Sequence, residues 1–318
     1  MIAAPQKLII DTDPGIDDAM AIHYALAEPQ LELVGLTSIF GNVYVDQATR
    51  NALCLAEMAG ADIPVAEGAA APLVQPLNPP SHHVHGPEGF GTLPAASPAG
   101  QADPRPAWQF ISETCRAAAG GITLCPVGPL TNIARLLDYD PGITGFVKRL
   151  VIMGGAAWCG GNVSAVAEAN IWNDPHAAEA VFAADWQVEM VGLDVTSQIK
   201  CTRADFAGLA GAAPEIGSFL AEIADFYIDF YNGRLAEEVC LMHDPAAVLS
   251  IVRPDLFDWK EVPIEVVTSG EEVGRTRPQP AASRRPARIA VGVDAAAVRA
   301  HFLSITASAD RQAATRKG

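Results

Sequence analysis

The sequence predicts an α/β fold: an open, mostly parallel central sheet flanked by helices, with helical and loop insertions over one rim. Three observations carry this. Short apolar runs alternate along the chain with stretches of helical apolar spacing, the pattern of repeated strand–helix units. The first run, Leu8-Ile9-Ile10, passes through Asp11-Thr12-Asp13-Pro14-Gly15-Ile16-Asp17-Asp18 into a helix that continues from Asp18 and stops before Pro29. That puts four carboxylates on a tight turn at the carboxyl end of a strand, where Rossmann-like sheets place their ligands.

Further elements follow in order. Residues 31–40 read as a second strand ending in Gly41-Asn42, 45–59 as a helix, and 63–66 as a short strand. Residues 69–105 are rich in Pro, Gly, Ala and Ser and hold Ser81-His82-His83-Val84-His85-Gly86. A loop this long in a compact domain tends to be functional or disordered. Its three histidines lack matched cysteine or acid spacing, so a polar group carried to a ligand by a mobile lid is preferred to a zinc site. Residues 108–118 read as a helix and 122–127 as a buried strand. Residues 128–134 turn into a helix, with Thr131 and Asn132 read as capping. A strand over 150–153 runs into Gly154-Gly155, and Asp174-Pro175 marks a helix start. Residues 187–196 read as a strand and 203–234 as helical, carrying an aromatic stripe read as core. Residues 268–288 read as a solvated Pro/Arg-rich loop and 288–293 as a late strand. One domain is expected over residues 1–310, followed by a polar tail, 311–318, without a fold of its own.

Composition narrows the function. Half of the 318 residues are hydrophobic, enough for a substantial core, and the net charge of −16 argues against nucleic acid as a partner. The uncharged stretches 117–134 and 150–167 are broken by Gly and Pro, which suits buried strands and loops better than a membrane helix. No basic segment followed by an apolar one opens the chain, and the six cysteines show no CxxC spacing. Free thiols in a reducing cytoplasm are the expectation.

The acidic turn sets the chemistry. Clustered carboxylates repel and stay ionised only beside a cation or hydrogen-bond donors. All-oxygen ligands favour Ca2+ or Mg2+ over zinc. Capping alone can explain one acid, Asp17, and leaves three over. Asn42 falls on the same rim, as turn former or as functional group. Asn162, Glu168 and Asn170 stand in a Gly- and Ala-rich passage, as loop residues or as partners for sugar hydroxyls. Asp244 in Met242-His243-Asp244-Pro245 can be an N-cap or a ligand.

Asp11-Thr12-Asp13-Pro14-Gly15-Ile16-Asp17-Asp18-Ala19 resembles the N-terminal signature of the inosine-uridine preferring nucleoside hydrolases, calcium-dependent enzymes that cleave the N-glycosidic bond of ribonucleosides. The Met153-Gly154-Gly155, Gly161-Asn162, Ala167-Glu168-Ala169-Asn170 and His243-Asp244-Pro245 segments match the same pattern in order, so that the resemblance runs from Leu8 to Phe302. The resemblance implies a site. Asp13, Asp18, Asp244 and the Val127 carbonyl would hold Ca2+. Asp13 would also serve as the base that activates the attacking water, helped by Asn42. Asp17 would accept from the 2′-hydroxyl, and Met153, Asn162, Glu168 and Asn170 would fix the ribose. His243 would act as acid or hydrogen-bond donor to the leaving base, with Tyr231 and His85 near the substrate. Asp11 would orient the turn from behind. The resemblance also implies nucleoside salvage and a homo-oligomer, dimer or tetramer. Two rivals remain. One is a haloacid-dehalogenase-type phosphatase on Asp11-x-Asp13, for which Lys148 and Lys200 have no convincing context. The other is a non-catalytic calcium-dependent nucleoside or sugar binder.

Overall fold

A computed structural model describes residues 4–317; residues 1–3 and 318, at the ends of the expected domain and tail, lie outside the described residues. The strands are β1 (Gln6–Thr12), β2 (Leu31–Ser38), β3 (Val65–Ala66), β4 (Ile122–Pro126), β5 (Val147–Met153), β6 (Val188–Val191), β7 (Lys200–Thr202), β8 (Val239–Leu241), β9 (Phe257–Val262), β10 (Ile264–Val266), β11 (Thr276–Pro278) and β12 (Ala287–Val293). Eight of them form the central sheet in the order β3-β2-β1-β4-β5-β6-β12-β9. Every pairing in it is parallel except β12 with β9, an antiparallel edge.

The inner strands are largely apolar on both sides, β4 being buried throughout, because helices cover both faces of the sheet. In β1, Leu8 and Ile10 enter one buried cluster with helices Ile16–Ala27, Ile216–Leu235 and His243–Ser250. Ile9, pointing the other way, enters a second cluster with helices Ala107–Ala117, Thr131–Tyr139 and Pro175–Ala183. Each such side chain contributes roughly 1.5–3 kcal/mol on burial. A one-residue slip of β1 would exchange its two faces, so this register is strongly specified.

Chain order reverses at β1: β2 and β3 lie to one side, β4 to β6 to the other. Such a switch point opens a crevice at the carboxyl ends of the strands. The turn after β1 and residue Val127 after β4 flank it, with the Val127 N–H bonded to the Asp11 carbonyl at 2.8 Å.

Four expectations are corrected. The strand read over 187–196 ends at Val191, and Leu193–Thr196 is a helical turn. Gly192 sits where a Cβ would lie 2.5 Å from the Gly155 carbonyl oxygen, and Asp194 turns to accept the N–H groups of Ala157 and Trp158. Residues 268–288 are not a solvated loop throughout: β11 pairs with β10, and buried Thr276 accepts the Ala156 N–H at 2.8 Å. Thr131 does not cap its helix; its hydroxyl donates to Asp174 at 2.7 Å, while Asn132 donates to Asp11 at 2.7 Å. The tail after residue 310 is folded, as part of helix Ala309–Lys317. Ala309 and Ala313 are buried, and the Arg316 guanidinium donates to the carbonyls of Ala59 and Leu26. The polar composition of this stretch hid two small residues four apart, enough to seat one helix face.

Candidate active site

The acidic turn folds around Asp18. The Thr12 hydroxyl (2.5 Å) and the Asp13 N–H (3.2 Å) donate to its Oδ1; the Gly15 N–H (3.0 Å) and the Asn42 side-chain amide (3.1 Å) donate to Oδ2. Asp18, rather than Asp17, thus closes the start of the first helix. Asp13 accepts the Asn42 backbone N–H at 2.6 Å on Oδ2, while its buried Oδ1 has no partner. A Cβ at Gly128 would lie 2.5 Å from that Oδ1, so the approach of the β4 loop to Asp13 requires glycine. Asp17 accepts from the Tyr227 hydroxyl at 3.3 Å on Oδ2, and its Oδ1 is also unpartnered. Asp244 arrives from the far end of the sequence on the first turn of His243–Ser250.

One carboxylate oxygen from each of Asp17, Asp18 and Asp244 lies within 4.8 Å of the others. Two like charges at that spacing repel by roughly 3 kcal/mol at an effective dielectric of about 20. The carboxylates respond as such a cluster must. Burial, then Asp18, pushes Asp17 up to about 8; burial raises Asp18. Asp13 and Asp244 are held well above the usual carboxylate range, by burial first and by the neighbouring acids next. Burial alone outweighs the Thr37 and Asn132 hydrogen bonds to Asp11, which rises to about 7. A cation would reverse these directions. The donors fit a hard divalent ion: every side-chain ligand offered is a carboxylate oxygen, and two buried oxygens, on Asp13 and Asp17, await a partner. The tight triad includes Asp17, expected on the sugar side, while Asp13 stands outside it and adds to the repulsion on Asp244.

A cavity of about 690 Å³ opens above these acids, a size suited to a small organic ligand. Of the residues expected to act on the substrate or hold the ion, all but Asp13 and Asp18 line it, and those two are buried. Asn170 is buried, and its amide donates to the Val127 carbonyl at 2.7 Å and the Met153 carbonyl at 3.2 Å. Glu168 accepts the N–H groups of Asn170, Ile171 and Gly155, so that it caps a short helix as well as facing the cavity. Asn162 is exposed and accepts the Ala169 N–H at 3.0 Å. His85 accepts the Ile16 N–H at 3.1 Å on Nδ1 and lies 3.9 Å from Asp17; burial lowers it to about 3. His243 bonds Thr196 through Nδ1 (2.7 Å) and Tyr231 through Nε2 (2.8 Å), and burial lowers it to about 4.

Some participants were invisible in the sequence. Tyr227 lay in the aromatic stripe read as core, yet its hydroxyl reaches Asp17 and, at 3.4 Å, Tyr231. Two tyrosines four apart on one helix face were the available signal. Thr196 and Asn132 carry no signal of their role, and only the fold brings them to His243 and to Asp11, while Thr12, inside the acidic turn, gives no local sign that its hydroxyl serves Asp18.

The sequence pattern of the family described as inosine-uridine preferring nucleoside hydrolase matches residues 8–300. The chain belongs to that family. Among nucleoside hydrolases and their relatives, it is 40% identical over 272 residues to uridine nucleosidase 1 of Arabidopsis thaliana, covering 85% of this chain and 81% of that protein. It is 38% identical to the inosine-uridine preferring nucleoside hydrolase of Crithidia fasciculata, over 84% of this chain and 85% of that protein. Among solved structures, a plant nucleoside hydrolase superposes with a TM-score of 0.93 at 34% identity, over 96% of this chain and 99% of the other. A purine-preferring ribonucleoside hydrolase from Gardnerella vaginalis gives 0.92 at 33%, with the same coverage. The chain is therefore an enzyme of the nucleoside hydrolase class, on the α/β fold the sequence predicted. Neither the phosphatase nor the non-catalytic binder finds support among these relatives. Among the described residues, no helix is long and apolar enough to cross a membrane.

Proposed function

We propose that the enzyme cleaves the N-glycosidic bond of ribonucleosides to free base and ribose, with one Ca2+ held by Asp13, Asp18, Asp244 and the Val127 carbonyl. The observation that carries this is the trio of buried acids Asp17, Asp18 and Asp244, drawn from both ends of the sequence, with Asp13 beside them, at a cavity of small-ligand size that His243 also lines. When bound, the ion supplies positive charge that orients the ribose diol and the attacking water and keeps the acids ionised.

The chain's own groups do the rest. Asp13, whose unpartnered Oδ1 is buried beside the crevice, takes the proton from water as it attacks C1′. The Asn42 N–H on its other oxygen keeps the carboxylate aimed. Asp17 accepts from the 2′-hydroxyl, and Met153, Asn162, Glu168 and Asn170 hold the ribose as it gains oxocarbenium character. Asn170 also fixes the Val127 carbonyl in the crevice. Burial keeps His243 neutral near pH 7, which favours a hydrogen-bond donor to the departing base over a charged acid. His85 and Tyr231 complete the walls that exclude water.

We also read the chain as one domain across residues 1–310, supported by the continuous sheet, and as a homo-oligomer acting in nucleoside salvage, which the family resemblance supports. The free cysteines support a cytoplasmic site of action. Release of base and of ribose from uridine and inosine, with added Ca2+ and with chelator, tests the reading. Calcium-dependent release of both products in equal amounts supports it; phosphate release from phosphomonoesters with no nucleoside turnover refutes it.

A further inference from the structure

We propose that Asn51 is a positioning residue that docks the His85-bearing loop onto the acidic turn, an inference that rests on the functional reading above. Asn51 lies on helix Val45–Met58 and is 2% exposed. Its side-chain amide donates to the Pro14 carbonyl at 3.0 Å and to the Glu88 carbonyl at 2.8 Å. Pro14 stands between Asp13 and Asp17, and Glu88 follows three residues after His85. A primary amide has two N–H donors, and here one goes to each functional segment.

The orientation of the amide is fixed from its other end. Its Oδ1 accepts from the Arg50 guanidinium through Nε (3.2 Å) and Nη2 (3.0 Å), and the same Nη2 pairs with the Glu88 carboxylate at 2.8 Å. A flipped amide would set its oxygen against two carbonyls and its N–H groups against a cation. The loop backbone is pressed into this junction at Gly89, where φ is +89° and a Cβ would lie 2.6 Å from the Pro14 oxygen and 2.8 Å from the Asn51 amide nitrogen. Only a residue without a side chain fits there. Beyond the junction, His85 accepts the N–H of Ile16, at the start of the helix that carries Asp17 and Asp18. Loop and turn are thus tied at two points, one through Asn51 and one through His85 itself. Asn51 touches no part of the cavity; it acts by setting where His85 stands against the substrate.

Asn51→Asp keeps the shape of the side chain but turns its two donors into an acceptor facing two carbonyls. Asn51→Asp and His85→Ala, singly and together, are compared for ribose release from a nucleoside in the presence of Ca2+, with hydrogen exchange measured across residues 81–91 of the same proteins. The expected result is a KM raised about tenfold by Asn51→Asp and faster exchange in the loop. In the His85→Ala background the same substitution then shifts KM by less than about twofold, the coupling expected of residues that act together. An equal effect in both backgrounds, or unchanged exchange in the loop, overturns the proposal. If Asn51→Asp does not fold, Gly89→Ala breaks the same junction from the loop side and carries the same cycle, with the same supporting and contrary results. A wild-type chain that turns over no nucleoside defeats the hydrolase reading, and the exchange measurement still judges Asn51.

Discussion

The Tyr231 hydroxyl stands 2.8 Å from Nε2 of His243, and the opposite ring nitrogen of that histidine is 2.7 Å from the Thr196 hydroxyl. A neutral imidazole needs one donor and one acceptor, and two hydroxyls satisfy either tautomer. From Tyr231 the chain of hydroxyls continues through Tyr227 to Asp17, linking His243 to the acidic cluster.

If His243 assists the departing base, its removal must hurt substrates in proportion to their need for that help. His243→Ala is expected to lower kcat on inosine by about 10²–10³-fold. On an activated arylriboside, whose leaving group needs no proton, the loss should stay under about tenfold. Steady-state rates on the two substrates decide the matter, and equal losses would take His243 out of this role.

Asn162 and Asn170 were indistinguishable in the sequence, and the structure separates them. Asn170 is buried and holds the Val127 carbonyl, whereas Asn162 is exposed and bonds a loop N–H. Asn170→Ala should therefore cost about a hundredfold in kcat/KM, and Asn162→Ala no more than about tenfold. Kinetics showing the larger loss at Asn162 would reverse this ranking of the ribose contacts.

Asp13 is asked to serve as a base while contributing one ligand among several. Asp13→Asn should cut turnover by about 10³-fold or more and only weaken Ca2+ binding. Calorimetric titration beside single-turnover kinetics checks both halves. A variant that binds no ion at all, or one that retains activity, would separate Asp13 from the base.

The raised carboxylates predict how stability follows pH. Asp11 and Asp17 titrate near 3.8 when unfolded but near 7 and 8 when folded. Between those values the folded chain, stripped of metal, binds more protons than the unfolded one, so raising pH destabilises it. His23, His85 and His243, lowered by burial to about 4, 3 and 4, act in the opposite sense, an effect that fades as pH rises through their unfolded value of 6.5. From about pH 7 to 8, where these histidines are mostly neutral in both states, the carboxylates dominate the slope. The melting temperature of chelated protein should fall across that interval, and saturating Ca2+ should abolish or invert the fall, because ligands must lose their protons to bind. A chelated chain that gains stability toward pH 8 would contradict this.

What the sequence revealed follows from how local each signal is. The turn from Asp11 to Asp18 is legible because strand, turn and helix are contiguous and four acids on one turn demand an explanation. The parallel core of the sheet is legible because strands covered on both faces are apolar throughout. The antiparallel edge β9, with burial only at Phe257 and Val262, reads as a polar stretch, and no strand was expected there. Asn132 looked like a helix cap because capping is what Asn does locally; its bond to Asp11 spans 121 residues and exists only once β1 and β4 are adjacent. Tyr227 was lost for the same reason, since whether an aromatic residue on a helix packs or donates depends on what faces it.

In the proposed function a single divalent ion, gripped by Asp13, Asp18 and Asp244, is required for turnover. The most direct test of this requirement measures Ca2+ occupancy and ribose release together, over graded free calcium, on chelator-stripped enzyme and on Asp244→Asn. About one ion per chain, a rate that tracks occupancy, and a roughly hundredfold loss of affinity in the variant are expected. Full-rate ribose release from stripped enzyme, or a rate unrelated to occupancy, would contradict it.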